Sequence, residues 1–154
     1  RSSYRYALDR HYRLGAPEGW RDGFISEYAT MHPWEDFAET FAHYLHITGT
    51  LGTASATGVR LDAVVVAVRD EDVVPLSSYQ GESVQRLLSD WAWISKAFNR
   101  VNRSMGMGDL YPFELTPAVG VKLAFMHRLI TQAAGARDAS TDGQYVLTPA
   151  LNEG

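Results

Sequence analysis

Apolar positions recur at helical spacing in three long stretches of the chain. Between Pro33 and Thr48, the residues Trp34, Phe37, Ala38, Phe41, Tyr44 and Leu45 fall on one face of a helix, while Glu35, Glu39, His43 and His46 fall on the other. Between Glu82 and Arg103, Val84, Leu87, Leu88, Trp91, Ile94 and Val101 repeat at three and four, with Gln85, Arg86, Asp90 and Lys96 pointing away. Between Pro117 and Ala134 the repeat is Val119, Leu123, Met126, His127 and Ile130. Start signals agree with the periodicity. Pro33 and Pro117 suit a first helical position, where a missing N–H costs nothing, and Glu35 and Asp36 set negative charge on the positive end of a helix dipole. The glycines Gly49, Gly52 and Gly58 are the expected stops after the first long helix, and Gly106 and Gly108 after the second. A shorter amphipathic helix is expected over Ser3 to Leu14, turning its Tyr4 and Leu8 inward and ending at Gly15 and Pro17.

Only Val59 to Val68 has the β-branched content of a strand, bounded by the charged run Arg69 to Asp72, and a run this short fits a packed helix or an irregular cover equally well. The predicted fold is therefore mainly α: three principal helices around a core containing Phe37, Phe41, Trp91, Ile94, Leu123 and Met126, with at most a minor strand element. Residues 1–137 read as one unit and residues 138–154 as a poorly ordered tail.

Composition narrows the function more than the fold. A chain of 154 residues with 45% hydrophobic and 21% charged residues is ordinary for a globular domain. The net charge of -4 and the lack of a basic tract argue against nucleic acid and against an anionic membrane surface. No cysteine is present, so disulfides and thiolate zinc ribbons are excluded within these residues. No apolar run reaches a membrane span and nothing resembles a signal peptide, so a cytoplasmic location is the expectation.

The row Glu35, Glu39, His43 and His46 is the one place where chemistry gathers. Its bland reading is a solvated charge pair, Glu39 four residues before His43, worth roughly 0.2–0.5 kcal/mol. Its chemical reading starts from the aromatic residues Tyr28, Trp34, Phe37, Phe41 and Tyr44, which flank the carboxylates closely enough to bury at least one. A buried carboxylate needs a cation, a proton or a metal. Glu39, His43 and His46 with His32 could also form a self-contained metal site. Elsewhere the signals are structural. Gly106-Met-Gly108 is too short for a dinucleotide fingerprint, and no serine sits in a Gly-X-Ser-X-Gly elbow. His11 and His127 read as packing residues, Asn99, Asn102 and Arg103 as a helix-end cap, and Met105 and Met107 as core filler.

The segment Glu35-Asp-Phe-Ala-Glu-Thr-Phe-Ala42, preceded by His32-Pro-Trp34 and followed by His43-Tyr-Leu-His46, resembles the bacterial family of zinc-binding metallopeptidases and, more remotely, the gluzincin peptidases that include anthrax lethal factor. The resemblance extends to Tyr4–Tyr12, Asn99–Gly106, Asp109–Phe113 and Lys122–Ile130, leaving out the segment from about Gly58 to Gly81 and the tail. It implies zinc as cofactor and a peptide or protein as substrate. It puts Glu35 in the position of a zinc ligand and Glu39 in that of a partner orienting the ligand. Tyr28 falls where a tyrosine faces the scissile carbonyl, and His32, His43 and His46 fall around the ligand or along the cleft. Such enzymes take two more ligands and a general base from a His-Glu-X-X-His helix, which this sequence does not contain. The expectation is a C-terminal part of a longer enzyme, with the upstream part of the same polypeptide as its partner and no activity alone. The alternative is a non-catalytic helical interaction domain whose Glu and His row is a structural polar network.

Overall fold

The computed structural model of the protein describes residues 3–63 and 71–141, with side chains as far as residue 136. Four α-helices are delimited among them: α1 Tyr4–Leu14, α2 Pro33–Ala56, α3 Val84–Ser104 and α4 Pro117–Thr141. Two single 3-10 turns, Trp20–Asp22 and Tyr28–Thr30, fill the connection between α1 and α2. The fold is mainly α. Among the described residues the only extended pairing is an isolated antiparallel bridge between Leu61 and Val73. The expected strand over Val59–Val68 is thus reduced to one bridging residue in its described part, and its remainder lies outside the described residues, as does most of the expected tail.

Local chemistry sets the helix ends. Ser3 caps α1 by accepting from the Tyr6 N–H, and Ser83 caps α3 by accepting from the Arg86 N–H. Gly15 ends α1 in the left-handed region (φ 71°), where a side chain would strain the backbone, and its N–H returns to the His11 carbonyl. His32 caps α2: its backbone is extended and its Nδ1 accepts from the Trp34 N–H at 3.2 Å. Two helices outrun their predicted ends. α2 continues through Gly49 and Gly52 to Ala56, and α4 continues past Gly135 to Thr141. A glycine in a helix costs about 1 kcal/mol, a small penalty beside the burial of Ile47, Leu51 and Ala54 on the same helix. Gly52 also faces the Ser77 backbone, whose carbonyl would stand 3.4 Å from an added Cβ.

The core is where α2, α3 and α4 meet: Ile47 and Leu51 against Leu87, Trp91 and Ile94 against Val119, Leu123 and Met126, closed by Ile25, Val73 and Tyr79. Trp91, Ile94, Leu123 and Met126 are buried as predicted. Phe37 and Phe41 are not, at 48% and 38% exposure. α2 is turned so that Thr40, His43, Tyr44, Ile47, Leu51 and Ala54 face inward, which buries His43 and leaves Trp34 and Leu45 outside. The reason is length. Extended to Ala56, the helix has its strongest apolar stripe in Ile47, Leu51 and Ala54, and Thr40 and Tyr44 share that stripe while Phe37 and Phe41 lie beside it. α1 buries no residue fully, so Tyr4 and Leu8 are only partly covered, and Met105 and Met107 are exposed rather than core.

Polar ties fix the frame. The Lys122 ammonium donates to both Asp36 carboxylate oxygens at 2.7 Å and to the Gly23 carbonyl at 2.7 Å, and lies 4.2 Å from the centre of the Phe24 ring. The Tyr44 hydroxyl meets His127 Nδ1 at 3.0 Å, and His127 Nε2 lies 2.9 Å from the Glu82 carbonyl. A carbonyl can only accept, so the proton is on Nε2 and Tyr44 donates to Nδ1. Burial raises the Tyr44 phenol above its ordinary pKa. His127 is therefore the packing residue the sequence suggested.

Candidate active site

Pro33 opens α2 and brings Glu35 and Asp36 into its first turn, where the helix dipole favours carboxylates. The two are shared out to opposite sides. Asp36 is taken by Lys122 of α4, and Glu35 by Tyr4 of α1, whose hydroxyl donates to Glu35 Oε1 at 2.7 Å. The Tyr4 ring is held by stacking on Trp34 (centroids 5.9 Å apart) and by an edge contact with His32 at 5.4 Å. The Tyr4 phenol is raised well above its usual range, first by its hydrogen bond to Glu35 and next by the neighbouring Tyr28 hydroxyl, because each stabilises the protonated form. Tyr28, on the 3-10 turn before α2, also meets the His11 ring edge-on at 6.4 Å. Tyr28, Glu35 and His32 are thus brought to one place, with Tyr4 between them.

One turn along, Glu39 accepts from the Ser26 hydroxyl at 2.7 Å, and Ser26 also caps the Ala29 N–H. That pair anchors the turn carrying Tyr28 to the helix carrying Glu35. Further on, His43 Nδ1 and the Tyr111 hydroxyl share a hydrogen bond of 2.8 Å, and the His43 ring packs edge-on against Phe113 at 4.4 Å. Burial holds His43 below its ordinary pKa, against an opposing pull from the Glu39 carboxylate. Tyr111 is itself fixed by both ends of the Asn99 amide, which donates to the Tyr111 carbonyl and accepts from the Tyr111 N–H, each at 2.9 Å. Its phenol is raised by burial. Asn99 is therefore a clamp on the Asp109–Phe113 segment. His46 is exposed and 5.8 Å from His43.

An open cleft of about 900 Å³ runs between α1 and the start of α2, walled by Tyr4, His11, Leu14, Met31, His32 and Trp34 among others. Glu35 and Tyr28 are not on its wall. Tyr4 separates the two, with its ring on the cleft and its hydroxyl on Glu35. The hydrogen-bonded cluster, rather than the cleft, is the place with chemical potential.

The donor set decides what this cluster could hold. Among the described residues no three His, Cys, Asp or Glu side chains converge on a point that could bind a metal ion. His32 is committed to the N-cap, and His43 offers Nδ1 to Tyr111. The self-contained site of Glu39, His43, His46 and His32 is thus not assembled. Glu35 by itself offers one carboxylate, and one carboxylate does not make a zinc site. Tyr4, Ser26 and Asn99 were not legible as partners of this row, because they stand 31, 13 and 12 residues from the groups they bind and no local spacing encodes such contacts.

A helical domain whose glutamate-bearing helix is braced by Tyr4, with Tyr28 beside that tyrosine, is what the geometry defines, and the comparison with known proteins supplies its class. The model of the family described as "putative zinc-binding metallo-peptidase" matches residues 1–129, and the chain belongs to that family. Among its relatives are uncharacterized proteins of Mycobacterium tuberculosis (strain H37Rv) and Mycobacterium bovis, each 47% identical over 133 residues, which is 86% of this chain. The chain spans 37% of the length of those relatives. No solved structure matches it. No helix among the described residues is long and apolar enough to cross a membrane.

Proposed function

We propose that this chain forms the C-terminal portion of a zinc-dependent metallopeptidase and supplies one wall of its catalytic centre. The observation that carries the proposal is the Glu35 carboxylate, presented from the first turn of α2 with Tyr4 on one oxygen and Tyr28 beside it, inside a segment that the family match spans. Glu35 would be one carboxylate ligand of a metal whose other ligands come from residues outside this chain, and zinc held there would supply an acidified water and polarise a peptide carbonyl. The work of this chain is positioning. The Tyr4 hydroxyl fixes one Glu35 oxygen and leaves the other to a metal. Ser26 and Glu39 tie the Tyr28 turn to α2, so that the Tyr28 hydroxyl holds a constant offset from Glu35. From there it donates a hydrogen bond to the oxygen on which negative charge develops. The exposed His46 lines the run along which an extended peptide substrate lies, and the buried His43 supports that stretch of α2 from beneath through its bond to Tyr111.

The test is made in a polypeptide carrying the complete ligand set, by metal content and peptide hydrolysis together. Glu35→Ala loses zinc and activity in parallel. Tyr28→Phe keeps one equivalent of zinc while turnover drops about 10²–10³-fold, the usual loss for one oxyanion donor. Full zinc in Glu35→Ala refutes the ligand assignment, and full activity in Tyr28→Phe reduces that tyrosine to a packing residue. The 154-residue chain alone binds zinc weakly in calorimetry and cleaves no peptide. Tight stoichiometric binding lost on His43→Ala or His46→Ala would instead establish a site complete within the chain.

A further inference from the structure

α2 and α4 run side by side in the same direction, since Asp36 meets Lys122 at one end and Tyr44 meets His127 further along. The α3 helix packs below this pair, with Leu88 of α3 close to Gly120 of α4 and Trp91 in contact with Tyr111, the partner of His43 on α2. At 100° per residue, the positions on α2 just beyond Asp36 and Tyr44, on the side away from α3, are Phe37, Phe41, Trp34 and Leu45. On α4 the positions flanking Lys122 on that same side are Val121, Phe125 and Leu129. All of these side chains are exposed, Trp34 at 69% and Val121 at 70%. The two stripes therefore lie side by side and make one apolar face on the α2–α4 pair, opposite α3. Glu35, Glu39 and His46 point to a different side of α2, so this face adjoins the candidate active site only at its edge, through Trp34, which also stacks on Tyr4.

The size of the face separates it from ordinary surface apolarity. At 150–250 Å² per aromatic side chain, Trp34 and the three phenylalanines alone expose about 400 Å². Leu45, Val121 and Leu129 carry the total beyond the roughly 300–600 Å² of the largest patch on a typical monomer, towards the ~800 Å² that each partner contributes to a standard interface. Each stripe also repeats at helical spacing, as in a packed layer of helices, whereas scattered surface residues would not. The polar ties along the seam, Lys122–Asp36 and Tyr44–His127, hold the two helices in fixed register beneath it.

We propose that this face is the docking surface for the part of the polypeptide that longer members of the family carry beyond the matched region, entering as an amphipathic segment laid along the α2–α4 groove. The occupant follows from length: the relatives devote 37% of their chain to the region matched here, and both α2 and the three exposed residues of α4 fall within residues 1–129. A covering segment from the same polypeptide needs no affinity of its own, because its local concentration is set by the connection.

The test compares one pair of substitutions in two settings. In the 154-residue chain, Phe37→Ser with Phe125→Ser shifts the melting temperature by less than about 2 °C, as surface changes do. In the full-length Mycobacterium tuberculosis relative, serine at the two aligned positions lowers it by at least about 5 °C or prevents folding, as loss of two core rings does. Small shifts in both settings overturn the proposal, as does the finding that the aligned residues of the relative are polar. Light scattering adds one further outcome: a dimer of the 154-residue chain that the double variant converts to monomer would assign the face to a second copy and overturn the proposal in that way. Stability, not hydrolysis, is read throughout, so the peptidase assignment can fail without touching this result.

Discussion

Lys122→Met isolates the tie that holds the first turn of α2, and with it Glu35, against the rest of the fold. Methionine keeps the length and apolar body of the stem and deletes the ammonium. Three hydrogen bonds at 2.7 Å and a cation–ring contact at 4.2 Å are lost together. The Asp36 carboxylate, 22% exposed, is then left without its counter-ion, as is the Gly23 carbonyl without its donor. An exposed pair is worth about 0.2–1 kcal/mol, and breaking a fully buried one costs about 3–5 kcal/mol. With Lys122 at 29% exposure the pair sits between these limits, and with the Gly23 bond included the cost is about 2–3 kcal/mol. For a chain of this size that lowers the melting temperature by about 4–12 °C. Urea titration of Lys122→Met, Asp36→Asn and the double variant closes a cycle in which the coupling is about 1–2 kcal/mol. A loss below about 0.5 kcal/mol for Lys122→Met, the level of an ordinary surface change, would refute the view that this ammonium organises the start of α2.

Three further outcomes follow from the same contacts. His43 is held below its ordinary pKa by burial, so the unfolded chain binds its proton first as pH falls: stability is unaffected above about 6.5 and declines below it, and urea midpoints at pH 7 and pH 5 differ less in His43→Gln than in the native protein. Tyr79 donates to the buried Asp90 at 2.8 Å, and Arg86 donates to the same oxygen at 2.8 Å. Tyr79→Phe keeps the ring and removes one of these donors, at a cost of about 1–3 kcal/mol by urea titration, and an unchanged midpoint would show that Arg86 alone satisfies the carboxylate. Asn99→Ala removes both bonds to the Tyr111 backbone, so hydrogen exchange at the Tyr111 amide accelerates by at least about tenfold while exchange in the α2–α4 core is unchanged. Equal protection at Tyr111 would mean that burial, not the clamp, holds that segment.

The helices themselves were readable from the chain alone, because their signals are local: an apolar period and a proline at the first position, with a glycine closing α1 and following α3, whereas α2 and α4 run through the glycines expected to stop them. The family was readable too, since its motif is contiguous around Glu35. What the chain could not settle was the rotation of α2 about its own axis. That helix carries two apolar stripes, Phe37 with Phe41 and Ile47 with Leu51, and periodicity weighs them alike. Tertiary structure chose the second, because α3 and α4 offer Leu87, Ile94 and Leu123 to it and because Lys122 can reach Asp36 only in that rotation. His43 was carried inward by the same choice, and its partner Tyr111 lies 68 residues away, beyond any spacing rule. The same holds for the site. Sequence singled out Tyr28 and Glu35, whereas the hydroxyl that joins them belongs to Tyr4, on a helix whose own pattern points to no site at all, and only the docking of α1 against the start of α2 brings it there.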